Sequence, residues 1–178
     1  MNIKSNNKIF VSFSTKDLAI CQNIVENLQS NSFNFWHQKE IKIGEKYKDI
    51  IKENINSSVA SILLLSNNFL NSNFIQDKEL PWIIEKDEKS LIYDIIPIQI
   101  EKCDWESIPH ISNMQIYPSR TKPIEINNSE HFKNISKHIF NYLNNAGLIE
   151  KKGWLISLFL QCAFLLLSSH AKGDDIIL

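Results

Sequence analysis

Glu79 is the side chain in this sequence best placed to do chemistry. It lies in QDKELP, just before Pro81, at the end of a helical segment that follows the apolar run Val59 to Leu65. Proline disfavours the helical conformation at the preceding residue and has no amide to donate. A kink or break is therefore expected at Leu80, with a second helical piece from Pro81 to about Lys86. Such a break leaves the Glu79 carboxylate above the carboxyl end of a strand, the edge where open α/β sheets bind ligands. Position alone fits equally a solvated helix carboxylate, of which Glu85 and Glu88 are neighbouring examples. Other reactive types are scattered. Cys21, Cys103 and Cys162 are far apart and odd in number, with neither metal spacing nor a disulfide pattern, which favours a reducing compartment. The histidines His37, His110, His131, His138 and His170 show no ligand spacing, and His131 and His138 are too far apart along one helix to share an ion. Neither GxGxxG nor GxxxxGK[ST] occurs, so dinucleotide-cofactor and P-loop readings are unsupported.

The elements that must position Glu79 follow from periodicity. Val59 to Leu65 is a continuous, β-branched-rich apolar run, the pattern of a strand buried on both faces of a parallel sheet. Ser66, Asn67 and Asn68 end it with helix-capping chemistry. Upstream, Lys8 to Ser14 is a short apolar strand, and Leu18, Cys21, Ile24, Val25 and Leu28 give a helix. Phe33 to His37 is a second strand, followed by a polar loop from Gln38 to Glu45 that contains Gly44, one of four glycines. Tyr47, Ile50, Ile51 and Ile55 mark a second helix. Downstream, Ile92 to Ile100 is a fourth strand whose Pro97 argues against two fully paired neighbours. Cys103 to Pro118 is irregular, and Pro123 to Ile126 is a candidate fifth strand at the sheet edge. Ser129 to Leu143 is amphipathic, with Phe132, Ile135, Ile139, Phe140 and Leu143 on one side and Gly147 at its end. Strand and helix alternate, which predicts a parallel sheet covered on both faces.

The chain has 178 residues, 43% hydrophobic and 22% charged, with a formal net charge of -1. One globular domain with a short appendage fits that size. Near-neutral charge gives no basic face for nucleic acid. The N-terminal MNIKSNNK has no apolar stretch behind its charge and does not read as a secretion signal.

Taken in order, KIFVSFSTKD, FNFWHQKEIKIGEKY, ILLLSNNFLNSNFIQDKELPWII and IIPIQIEKCDW resemble a Toll/interleukin-1 receptor (TIR) domain, closest to the bacterial-type members, over residues 8 to about 145. The resemblance implies a flavodoxin-like α/β fold: a five-stranded parallel sheet of order 2-1-3-4-5 with helices on both faces. It divides the chain into an arm at 1–7, the TIR domain at 8–147 and an apolar tail at 148–178. It also implies one of two functions, hydrolysis of NAD+ or a non-catalytic scaffold working through TIR–TIR contacts. Glu79 falls on the glutamate required in the enzymes. Phe13 and Ser14 match pocket-lining positions, Trp36 an aromatic position stacked near the nicotinamide or ribose, and Gly44 the glycine of the mobile loop. Three residues depart from the family pattern. Gln38 stands where many members are acidic, Ser14 where some enzymes have arginine, and Ile75 where tryptophan is frequent. These bear on substrate affinity more than on the reaction. NAD+ is then a substrate, no cofactor or metal is called for, and the expected partners are further TIR domains and a sensor chain.

One carboxylate suffices for that reaction. Glycosidases use two because an alkoxide leaving group must be protonated while an oxocarbenium-like sugar is stabilised. The nicotinamide of NAD+ is already a pyridinium and departs neutral, so what remains is to stabilise positive charge on the anomeric carbon.

Trp154 to Leu167, WLISLFLQCAFLLL, is apolar all round except at Ser157 and Gln161. At 1.5 Å per residue it spans roughly 21 Å, short of the ~30 Å hydrocarbon core. It reads as a membrane segment that needs thinning or oligomerisation, as a helix packed on a partner, or as the stub of a longer domain. The first is favoured, because the TIR region leaves no place for its apolar surface. The preceding Lys151 and Lys152 would hold the domain on the cytoplasmic side. Fractionation of the full chain is then expected to place it with membranes or in oligomers, and a chain ending at Gly147 in the soluble, monomeric fraction. Both chains soluble and monomeric would exclude an anchoring or assembling tail.

Overall fold

The computed structural model describes residues 8–28, 34–91, 93–125 and 128–145. The arm at 1–7, Gly147 and the apolar tail lie outside them. In chain order the elements are β1 (Lys8–Ser12), α1 (Leu18–Leu28), β2 (Asn34–Trp36), α2 (Tyr47–Ser57), β3 (Ala60–Leu65), α3 (Asn67–Leu70), a π turn at Ile75–Glu79, α4 (Leu80–Lys89), β4 (Asp94–Gln99), α5 (Pro109–Ser112) and α6 (Ser129–Asn145). The strands form one parallel sheet in the order β2-β1-β3-β4.

β3 is the axis of this sheet, and all six of its side chains are buried. Val11, Ile62 and Ile96 stand in register across β1, β3 and β4. Side chains alternate along a strand, so successive residues serve opposite faces. Phe10, Leu63, Leu65 and Ile95 join Ile51 and Ile55 of α2 and Leu80 and Ile83 of α4 in one core. The alternate residues Ile9, Val11, Ile62 and Leu64 are equally buried. They face the other way, the side served by α1 and α6, which pack together. Cys21, Ile24, Val25 and Leu28 are the buried side of α1, as its periodicity predicts. On α6 the buried side is Phe132, Ile135 and Ile139, whereas Phe140 is 43% exposed.

Four strands are assigned among the described residues where five were expected. The β4 edge is met by single residues instead. Tyr117 N donates to Pro97 O, Gln99 N donates to Tyr117 O, and Ile124 N donates to Gln99 O, at 2.8–2.9 Å. Pro118 and Pro123, which flank this stretch, lack the N–H groups that a continuous ladder requires. Pro97 itself pairs with β3 through its register with Leu63. Its carbonyl faces outward to Tyr117, so its missing N–H faces outward too.

The helical run before β4 also differs from expectation. It does not break at Pro81 but continues through the π turn, with Phe74, Glu79 and Leu80 all right-handed helical, and α4 extends to Lys89. Among the described residues no helix is long and apolar enough to cross a membrane.

The core on β3 sets the stability. Leu64→Ala is expected to cost about 2–5 kcal/mol in urea unfolding. Ile43→Ala, at a fully exposed loop position, is expected to stay within about 0.5 kcal/mol.

Candidate functional site

The π turn aims Glu79. Leu80 N–H bonds back to Ile75 O, five residues earlier, in place of the usual four. Pro81 has no N–H for the carbonyl of Asp77, and its ring crowds that carbonyl, so a widened turn relieves both problems. In consequence Glu79 is 3% exposed, while Glu85 and Glu88 on the following turns are solvated. The reading of Glu79 as one more surface carboxylate therefore does not hold.

Ser12, the last residue of β1, donates its hydroxyl proton to Glu79 Oε1. By strand alternation Ser12 lies on the Phe10 face, the same side as α2 and α4. Burial pushes the Glu79 carboxyl up to about 7, and the Ser12 hydrogen bond pulls the other way with less effect. The charge of Glu79 is felt at Tyr47, the first residue of α2, whose phenol is pushed up to about 12 by desolvation and then by that carboxylate.

A polar relay ties the loop after β2 to this edge. Tyr47 donates its hydroxyl proton to Gln38 Oε1, and Gln38 Nε2 donates to Phe13 O at 3.2 Å. A second buried carboxylate, Asp17, accepts from Ser66 Oγ and Asn68 Nδ2, each at 2.6 Å. Ser66 Oγ in turn accepts from Phe69 N at 2.9 Å, capping α3. The turn after β1 and the turn after β3 are thereby joined at the carboxyl edge of the sheet.

The residues expected to touch a ligand are placed as follows. Phe13 is buried and meets the His37 ring edge-on at 5.8 Å. Ser14 is buried and caps the 3₁₀ turn Thr15–Asp17, its Oγ accepting from Lys16 N at 3.4 Å. Trp36 is 8% exposed and stacks on Phe10 with centroids 5.5 Å apart. Gly44 has a φ of 91°, a conformation that L side chains rarely adopt, in a loop with open space around it. Ser12 and Phe13 follow one another at the end of β1, so the structure brings Glu79, Ser12 and Tyr47 together. Sequence reasoning missed Ser12, Asp17 and the outward placement of Tyr47. The signal for Ser12 was a hydroxyl ending an otherwise apolar strand, KIFVS.

Comparison with known proteins agrees with this geometry. A family model described as TIR domain matches residues 9–139. A Sinorhizobium fredii protein, uncharacterized protein y4lF, is 27% identical over 120 residues, which is 65% of this chain and 36% of the relative. The chain thus spans just over a third of that relative's length. Among solved structures, the RPS4 and RRS1 TIR domain heterodimer aligns with a TM-score of 0.56 at 13% identity, covering 76% of this chain and 97% of the other. The TIR domain of the Toll-related receptor TRR-2 from Hydra magnipapillata aligns at 0.53 and 14% identity, with the same coverage of 76% and 97%. These identities speak for the fold alone. The family match, running over most of the strand and helix alternation, makes this chain a member of the TIR domain family.

Proposed function

We propose that the chain is an NAD+ glycohydrolase, cleaving the bond between nicotinamide and ribose, with Glu79 as its catalytic carboxylate. The observation that carries this reading is an enclosed carboxylate at the carboxyl edge of the sheet, held by the Ser12 hydroxyl on a π turn. A structural role alone gives no reason to bury an acid there; a cationic ligand does. Approach of the pyridinium favours the ionised form of Glu79. As the C–N bond breaks, its electron pair goes to the ring nitrogen and nicotinamide leaves neutral. Positive charge then grows on the anomeric carbon, where a carboxylate in a low-dielectric site stabilises it strongly. A water oxygen attacks that carbon and loses a proton, giving ADP-ribose; attack by the adenine ring of the same molecule gives a cyclic product. Phe13, Ser14 and Trp36 wall the strand-end side, and Gly44 gives the neighbouring loop its freedom. NAD+ is consumed as a substrate.

The reading includes a defence or cell-death role in the cytoplasm, switched on by self-association and by a sensor chain. The RPS4 and RRS1 neighbour is titled a heterodimer of TIR domains, and TIR–TIR contact is the kind of assembly expected here. A second reading, a scaffold without catalysis, is favoured by Ile43, a large apolar side chain standing fully exposed at the loop tip.

Nicotinamide release from NAD+ separates the two. Glu79→Gln is expected to lower it roughly 10²–10³-fold, and equal release by the variant would end the role given to Glu79. No release under any condition, forced clustering included, would leave the scaffold. In the unsubstituted chain kcat/KM is expected to rise as pH passes about 7, because the ionised carboxylate is the active form. The same group shapes stability. Its folded pKa lies above the model 4.5, so the folded state binds the extra proton between these values. Its contribution is full below about 4.5 and is lost as pH rises to about 7. Glu79→Gln is therefore expected to unfold later than the parent at pH 8, by on the order of 3 kcal/mol, and to match it at pH 4.

A further inference from the structure

Two of the aromatic rings around the carboxyl edge already have a partner on the face. Trp36 is stacked on Phe10 at 5.5 Å and 23°. Trp82 carries the Lys52 ammonium 5.5 Å from its centroid. Tyr47 differs. It is 41% exposed, and its ring leans on Phe74 at 5.1 Å and 59°, with Trp82 edge-on behind Phe74 at 6.3 Å and 78°. Its hydroxyl is held by Gln38, which is itself fixed to the Phe13 carbonyl. Only an amide can accept from the phenol and donate to the carbonyl at once; a carboxylate here would have no donor for Phe13 O. Tyr47 is thus an open, immobilised ring within reach of the Glu79 charge.

We propose that Tyr47, positioned by Gln38 and backed by Phe74, is the surface on which the cationic pyridinium ring of the substrate stacks. This rests on the NAD+ reading above and extends it to recognition of the ring. A delocalised cation over a phenol face is attracted by the ring quadrupole, and the carboxylate on its flank adds to that attraction. The reduced dihydropyridine is neutral and not aromatic, so it gains neither. The site therefore prefers the oxidised dinucleotide, and the preference resides in Tyr47.

The test is calorimetric titration of the full chain carrying Glu79→Gln, which leaves the ligand intact, with NAD+ and with NADH. Adding Tyr47→Leu is expected to weaken NAD+ binding about tenfold and NADH binding by less than about threefold. Tyr47→Phe, which keeps the ring, is expected to stay within about threefold of the parent for both. Phe74→Leu, removing the backing ring, should act in the direction of Tyr47→Leu and stands in for it if that variant fails to fold. Equal weakening of both ligands, no weakening, or no NAD+ binding at all would overturn the proposal. Binding as expected, with no nicotinamide release by the unsubstituted chain, would sink the glycohydrolase and leave the stacking surface standing. Release by the unsubstituted chain with an unchanged KM in Tyr47→Leu would do the reverse.

Discussion

The hydrogen bond from Ser12 to Glu79 is the contact on which the arrangement of this domain turns. It needs β1 beside β3, so that the end of one strand meets the helical run that leaves the other. It needs the π turn, which places Glu79 inward where a regular helix would place it differently. It also needs a core able to exclude water from a carboxylate, and the packing of α2 and α4 against Phe10 and Leu63 supplies that. Each requirement is met by a different stretch of sequence. An ionisable group inside a protein works against folding unless something compensates it. Here one hydroxyl offsets part of that penalty and the rest is carried by the sheet.

The rest of the carboxyl edge is built to keep this pair in place. Asp17 draws in Ser66 and Asn68, so the turn after β1 cannot shift without the turn after β3. Gln38 draws Tyr47 toward Phe13, so the start of α2 is tied to the end of β1. Hydrogen bonds of this kind contribute about 1 kcal/mol each net. Their larger effect is geometric, since they connect loops that would otherwise move independently.

Much of this was legible in the sequence. Six consecutive apolar positions announced β3, and Pro81 marked the irregularity where Glu79 sits. What proline does at that point was not legible. A break and a π turn both satisfy a missing amide, and only packing against β1 chooses between them. Tyr47 fitted the apolar period of α2 with Ile51 and Ile55, yet it lies at the first turn, where its hydroxyl finds Gln38 across the loop. A periodic pattern reports a face, not the partner that a polar tip will reach. The fifth strand failed for a related reason. PIEI has strand composition, but Pro118 and Pro123 leave too few donors, and isolated hydrogen bonds from Tyr117 and Ile124 take its place. Conversely, Cys21 and the buried side of α1 followed directly from spacing, because nothing polar competes there.

The outer edge of β4 has a consequence for how copies of this domain can meet. Its outward backbone donors are those of Ile95, Pro97 and Gln99. Ile95 N is taken by the Asp94 carboxylate at 2.9 Å, Pro97 has none, and Gln99 N is taken by Tyr117. Sheets grow by zipping a foreign strand onto free amides, and such growth is how many folded proteins come to aggregate. On this side there is nothing left to zip. Domains crowded together at high local concentration are therefore confined to contacts between side chains and loops. Those contacts are reversible, whereas strand addition at an open edge leads toward fibres.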